Sequence, residues 1–363
     1  MAFSLPMSQP LRFPAHHNAV RAAVFFATLT LSALSCSTKK NNESITGEMT
    51  AIPRADTLSL ERACQIMASH PPVEFGASDA GSANAFYRLL DSAAEAIRLS
   101  PLFKPGAGST RTAIIDLVYQ TWHIGFDSTD TALETLLPDR VFRTRKGDCL
   151  GVSLILLMLA ERLGCPIYGV MLPGHFFCRY DDGRVRINIE PNRGGCAHDD
   201  AYYRERYQIA KTPWYDLKNL SRPEVIGVLC YDCGTLCLRE KLFKPAIVYF
   251  RECLRLIPGY AEAKGNLAVA YAQNESRDTA MDLFAQLFVE HPDMVNLAAN
   301  YGAVAAAARQ YHKALTIYLS GLERNPGDSL LYRRAVYTFG KLGNDDSTKI
   351  FGQKLLAIKA MAK

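Results

Sequence analysis

The sequence predicts an α+β unit, helical segments with a small antiparallel sheet, followed by an all-α solenoid. Three observations carry this. Pro258, Pro292 and Pro326 recur every 34 residues, the sign of stacked helical hairpins. A nearly unbroken apolar run, Leu150 to Leu163, stops at Gly164 and Pro166 and reads as a buried helix. Past it, Ile167–Met171, His175–Tyr180 and Val185–Glu190 have strand character, the last two joined by a turn at Asp181–Arg184. At 363 residues and 48% hydrophobic, the chain can bury more than one core.

The first segment is read as an export signal. Arg12 and Arg21 precede an apolar stretch, Ala22–Ala27 and Leu29–Leu34, that ends at Ala33-Leu34-Ser35-Cys36. The stretch is short for a bilayer span. Its junction resembles a bacterial lipobox, which implies lipidation at Cys36. The expected organisation is a signal peptide over 1–36, a Ser/Thr/Asn/Lys-rich tether over 37–58 and a folded unit over 59–222. That would place the chain in the cell envelope, anchored by lipid on the periplasmic or outer face of a bacterial membrane. The formal charge of +5 is modest and no Lys/Arg run is interleaved with aromatics, which argues against nucleic acid as a partner.

The solenoid is read position by position. Ala246, Ala280 and Ala314 each stand twelve residues before a repeat proline. Gly234, Ala268 and Gly302 fall where two helices cross closely, and Phe250, Phe284 and Tyr318 lie on the second helix. This pattern resembles the tetratricopeptide repeat, in three copies over 227–328 with closing helices over 329–363. The resemblance implies a concave surface that holds a protein or peptide. Cys230, Cys233, Cys237 and Cys253 occupy buried positions of the repeat. Helical i, i+3, i+7 spacing of small apolar thiols is a core stripe, so packing is expected in place of a metal or disulfide framework.

In the first unit, Ser59–Ser69, Ala83–Leu99 and Arg111–Gly125 have helical spacing, the last with Ile114, Ile115, Val118 and Trp122 inward. Asp148 is the expected N-cap of the apolar helix, which puts Cys149 in its first turn. There the helix dipole and amide N–H groups favour thiolate, and the polar Lys146-Gly147-Asp148 lead-in suggests an accessible helix start. If Asp182-Gly183, or the four residues Asp181–Arg184, form the turn, His175 lies opposite Glu190. Alternation then puts Phe176, Cys178, Tyr180, Val185, Ile187 and Ile189 on the core face. His175, Phe177, Arg179, Arg186, Asn188 and Glu190 fall on the other. A carboxylate across from His175 would hold one tautomer and make the imidazole a better base.

Helix-borne cysteine, strand histidine and an acid on the next strand, in that order, resemble the transglutaminase-like core of the papain-type cysteine enzymes. The matching residues are Gly147-Asp148-Cys149-Leu150-Gly151, Leu172-Pro173-Gly174-His175-Phe176 and Ile187-Asn188-Ile189-Glu190-Pro191-Asn192. The similarity spans about 114–195 and closely resembles a bacterial branch in which such a core precedes tetratricopeptide repeats. It implies Cys149 as nucleophile on an amide or ester carbonyl, His175 as proton shuttle and Glu190 as orienting acid. Glu190 stands where the family more often carries Asp, with Asn188 as a second candidate orienter. The backbone N–H of Cys149 is one candidate oxyanion donor. Acyl transfer through a thioester, resolved by water or by an amine, is the expected chemistry, with no metal or cofactor. The alternative is a non-catalytic binding or assembly module. His123 with Asp127, and Cys196 with His198, Asp199 and Asp200, complete no zinc spacing and are read as solvated groups.

Overall fold

The structure is a computed structural model that describes residues 58–69, 80–101, 103–104, 108–127, 132–207, 209, 215–294 and 296–361. Cys36, the signal segment and all of the tether before Leu58 lie outside the described residues. Among the described residues no helix is long and apolar enough to cross a membrane.

The central helix runs Cys149–Leu163, with every residue but Glu161 and Arg162 buried. It begins where Asp148 accepts the Gly151 N–H at 2.8 Å and ends at Gly164, whose φ of 59° is the left-handed conformation of a helix stop. Leu154, Ile155, Leu156 and Leu159 are fully buried, each contributing about 1.5–3 kcal/mol relative to exposure. Around it pack the helices Leu60–Ser69, Ala80–Arg98 and Gly108–Asp116, the last continuing as a π-helical turn, Leu117–Thr121. Ile114 and Val118 are buried as expected, while Ile115 and Trp122 are partly so. Two short helices, Leu133–Leu136 and Pro138–Thr144, and a two-residue parallel pair, β1 (Gly125–Phe126) with β2 (Lys146–Gly147), complete the approach to the central helix.

The sheet is antiparallel in the order β3 (Ile167–Leu172), β4 (His175–Asp181), β5 (Arg186–Ile189). Its register differs from the expected one by two residues. Asp181 pairs with Arg186 and Cys178 with Ile189, so the loop is Asp182–Val185. Asp182 sets this loop: its carboxylate accepts the N–H groups of Arg184 and Val185, and Gly183 takes a φ of 82°. An even shift keeps each side chain on its face. Phe176, Cys178, Tyr180 and Ile189 therefore lie in the main core, but Val185 falls into the loop and is half exposed. Extending the ladder brings Glu190 level with Phe177, so His175 meets Glu190 diagonally and not directly across.

The second face of the sheet is buried as well. Helix Asp200–Tyr207 covers it, and Val170, Leu172, Phe177, Tyr203 and Leu217 form a separate small core there.

Helical hairpins follow: Arg222–Arg239 with Phe243–Leu256, Ala261–Gln273 with Arg277–Glu290, Leu297–Ala307 with Tyr311–Arg324, and Ser329–Lys341 with Asp345–Met361. Ala246, Ala280 and Ala314 are fully buried, as are Phe250, Phe284 and the four cysteines of the first hairpin. A Cβ on Gly234 would stand 2.8 Å from the Phe250 ring, and one on Gly302 2.2 Å from the Tyr318 ring. The 34-residue pattern is thus the spacing of ring-to-backbone contacts. None of the nine described cysteines is in a disulfide. The first hairpin starts earlier than the repeat pattern, at Arg222, under a capping box of Ser221 and Glu224. It is also a wall of the first unit: Cys233 Sγ meets Met67 Sδ at 3.8 Å, Arg222 pairs with Glu161 at 2.5 Å, and Val225 lies beside the Phe176 ring over Gly169.

Candidate active site

The site forms where the start of the central helix meets the start of β4. Its approach depends on two glycines. A Cβ on Gly147 would stand 2.7 Å from Val141, and one on Gly151 2.1 Å from the Thr135 carbonyl oxygen. The Asp148 N–H donates to that same carbonyl at 2.9 Å. The helix start is therefore seated on the backbone of Leu133–Leu136, which fixes where Cys149 points.

The structure brings Cys149, His175 and Glu190 together. His175 Nε2 donates to Glu190 Oε2 at 3.0 Å, and the imidazole is also hydrogen-bonded to the Cys149 side chain, which leaves Nδ1 as the ring nitrogen for the thiol. Cys149 is 6% exposed and His175 5%. The helix start is therefore not the open position that its polar lead-in suggests, because Leu133–Leu136 and β4 close over it. Burial pushes the imidazole down, but the Cys149 and Glu190 side chains push it up further, to about 9. Burial alone would raise the Glu190 carboxyl. Hydrogen bonds from His175, the Asn192 N–H and Tyr203 outweigh that and hold it below the usual carboxylate range.

Asn188 takes a different place from the one its face suggests. Its carbonyl accepts from Arg179 Nε at 2.7 Å, and its amide donates to the His198 carbonyl and to Asp200 at 3.0 and 2.9 Å. Arg179, 1% exposed, also reaches Asp200 at 2.7 Å. Asn188 thus ties the cover helix to the sheet and does not orient His175. Asp148 is the cap of the central helix. Asp199 is an exposed group at the head of the cover helix, where it accepts the Tyr202 N–H at 2.8 Å; the reading of Asp200 as solvated is corrected, since it is the partly buried ion-pair partner just described. His198 stacks on Tyr202 with ring centroids 4.0 Å apart. Among the described residues no group of three or more His, Cys, Asp or Glu is placed to hold a metal.

Sequence reasoning missed the cover helix and its two site-facing tyrosines. Tyr203 Oη donates to Glu190 Oε2 at 3.0 Å, and the Tyr207 ring lies parallel to the His175 ring at 4.8 Å with an interplanar angle of 2°. The run Asp200-Ala201-Tyr202-Tyr203-Arg204-Glu205-Arg206-Tyr207 has almost no aliphatic residues. The available signal was the i, i+4 pair of tyrosines.

Residues 84–220 match the model of the Transglutaminase-like superfamily. A UPF0162 protein of Xylella fastidiosa is 39% identical over 70 residues, covering 19% of this chain and 24% of the relative. The chain thus spans about a quarter of that relative's length. A UPF0162 protein of Vibrio cholerae is 24% identical over 190 residues, 49% of this chain and 68% of the relative. Among solved structures, MamA of MSR-1 superposes with a TM-score of 0.35 at 13% identity, over 38% of this chain and 79% of that one. Menin, in a crystal structure described as revealing the binding site for Mixed Lineage Leukemia protein, superposes with a TM-score of 0.41 at 12% identity, over 77% of this chain and 70% of that one. Residues 84–220 are thus similar to the Transglutaminase-like superfamily, and a helical repeat-like region follows them.

Proposed function

We propose that this protein is a cysteine-dependent acyl-transfer enzyme whose nucleophile is Cys149, with the repeat arm holding a protein or peptide. The observation that carries the reading is the imidazole of His175, bonded at once to Cys149 and to a carboxylate held ionised by three donors. In that arrangement the proton shared by Cys149 and His175 sits on the imidazole, and Cys149 Sγ bonds as the anion to an amide or ester carbonyl carbon. The tetrahedral oxyanion is met by the backbone N–H of Cys149 at the head of the helix. His175 returns the proton to the departing amine or alcohol, leaving a thioester. Water or an amine then attacks the thioester carbon, gives its proton to His175, and Cys149 leaves. Glu190 holds the ring and offsets the charge of the imidazolium. Export and lipidation at Cys36, proposed from the sequence of residues 1–36, would place this chemistry in the cell envelope.

The test is the pH dependence of Cys149 alkylation by iodoacetamide, read by site-resolved mass spectrometry in wild type and His175→Ala. Fast labelling well below the ordinary thiol pKa of about 8.5, lost in the variant, supports the pair. Labelling that rises only near that value in both proteins rejects it. A second reading, a non-catalytic binding or assembly module, draws on the same burial of Cys149 and His175, both less than a tenth exposed. It predicts that slow profile.

A further inference from the structure

Glu190 carries one more rotatable bond than an aspartate, so a carboxylate at this position needs more than the histidine to fix it. Every oxygen of it is engaged. Oε1 accepts the Asn192 N–H at 3.0 Å, and Oε2 accepts both His175 Nε2 and the Tyr203 hydroxyl, each at 3.0 Å. Tyr203 cannot swing away. It is fully buried, its ring stacks on Phe177 with centroids 4.0 Å apart, and Tyr202 meets it edge-on at 5.2 Å. The helix that carries it is pinned at its first residue, where Asp200 takes Arg179 and Asn188 from the second face of the sheet. Buried Arg179 and Asn188 thereby acquire a reason: they seat the helix start three residues before Tyr203.

We propose that Tyr203 is a positioning residue of this site, acting through Glu190: its hydroxyl locks the carboxylate rotamer that points Oε2 at His175. This rests on the cysteine–histidine reading above. Around Glu190 stand His175 and Cys178 of β4, Tyr119 of the π-helical turn, and Tyr203, Arg206 and Tyr207 of the cover helix. Of the cover-helix groups, Tyr203 is the one that hydrogen-bonds the carboxylate. Removing its hydroxyl takes away a donor to the ionised form, so Glu190 would take up a proton at higher pH.

The experiment compares wild type, Tyr203→Phe and Tyr202→Phe, all as the full chain. Two readouts are followed: the titration of the Glu190 side-chain carboxyl carbon by NMR, assigned with Glu190→Gln, and the low-pH limb of Cys149 alkylation. The proposal expects both midpoints to rise by about half a pH unit or more in Tyr203→Phe and to stay in place in Tyr202→Phe. A purely structural tyrosine would lower the melting temperature and leave both midpoints where they are, which would overturn the proposal. A Glu190 titration that moves in a protein whose Cys149 never labels at low pH would sink the enzymatic reading while keeping the hold of Tyr203 on Glu190.

Discussion

Replacing Glu190 by Gln keeps the shape of the side chain and removes its charge, which makes it the sharpest probe of the site. In wild type the imidazole of His175 is raised from the ordinary 6.5 to about 9, against a burial effect that lowers it. At about 1.36 kcal/mol per pH unit, that rise corresponds to about 3 kcal/mol of preference for the imidazolium. An opposite charge within a few ångströms moves a pKa by about 1–3 units, and Glu190 Oε2 lies 3.0 Å from the ring nitrogen. In Glu190→Gln the ring keeps Cys149 but loses the carboxylate while its burial persists. The histidine should therefore titrate about 1–3 units lower. The assay is an NMR titration of the ring carbons, with His175 assigned by its loss in His175→Ala.

The same shift has a stability consequence with a definite sign. A group whose pKa is raised on folding adds stability that is fully present below its unfolded pKa and is lost as pH rises through the folded value. For His175 that window runs from 6.5 to about 9. The difference in urea-unfolding free energy between wild type and Glu190→Gln should be greatest near pH 6 and shrink as pH approaches 9. A wild-type His175 that titrates at or below 6.5, or a titration that Glu190→Gln leaves unmoved, would refute the coupling between these residues.

Two glycine substitutions test the packing beneath the site and the arm. Gly151→Ala drives a methyl toward the Thr135 carbonyl, 2.1 Å from the ideal Cβ position, and backbone cannot step aside as a side-chain tip can. A loss of about 1–3 kcal/mol is expected from overpacking, with Cys149 labelling altered because the helix start must shift; unchanged stability and labelling would show that the seat does not position Cys149. Gly302→Ala should cost a similar amount in thermal or urea unfolding, since its Cβ would meet the Tyr318 ring at 2.2 Å, while the rate of Cys149 alkylation stays as in wild type.

How much of this was legible depends on whether a position is fixed by local or by distant contacts. The central helix, its Asp148 cap and the Gly164 stop are local, and the sequence shows them directly. The solenoid was legible because each repeat meets the same neighbours, so ring, alanine and glycine recur in step. The register of β4 and β5 was not, because the carboxylate of Asp182 drew Val185 into the loop, a choice the alternation of side chains leaves open. Since both registers keep the same parity, His175 and Glu190 stayed on one face and still met. The cover helix was hidden for a further reason: Tyr203 is buried against Phe177 and Glu190, which are distant in sequence, and its helix has no aliphatic stripe.

Whether the arm or the site carries the function invites a deletion, and the packing shows why deletion is the wrong instrument. The first hairpin helix, Arg222–Arg239, is buried on the first unit as well as on its own partner. Its Cys233 meets Met67, its Val225 lies over Gly169, and its Arg222 pairs with Glu161 of the central helix. The apolar residues of both regions form one continuous cluster, from Leu58 to Phe339. A chain ending at Leu220 would leave Met67 and Cys64 without their cover. Each large apolar side chain so returned to water costs about 1.5–3 kcal/mol, a sizeable part of a typical net stability of about 5–15 kcal/mol. That chain should show a broadened or absent urea transition by circular dichroism, and its loss of activity would say nothing about partner binding. A cooperative transition at the wild-type midpoint would refute the continuity of the core. Point substitutions on the exposed faces of the later hairpins, made with Cys149 intact, separate the two roles.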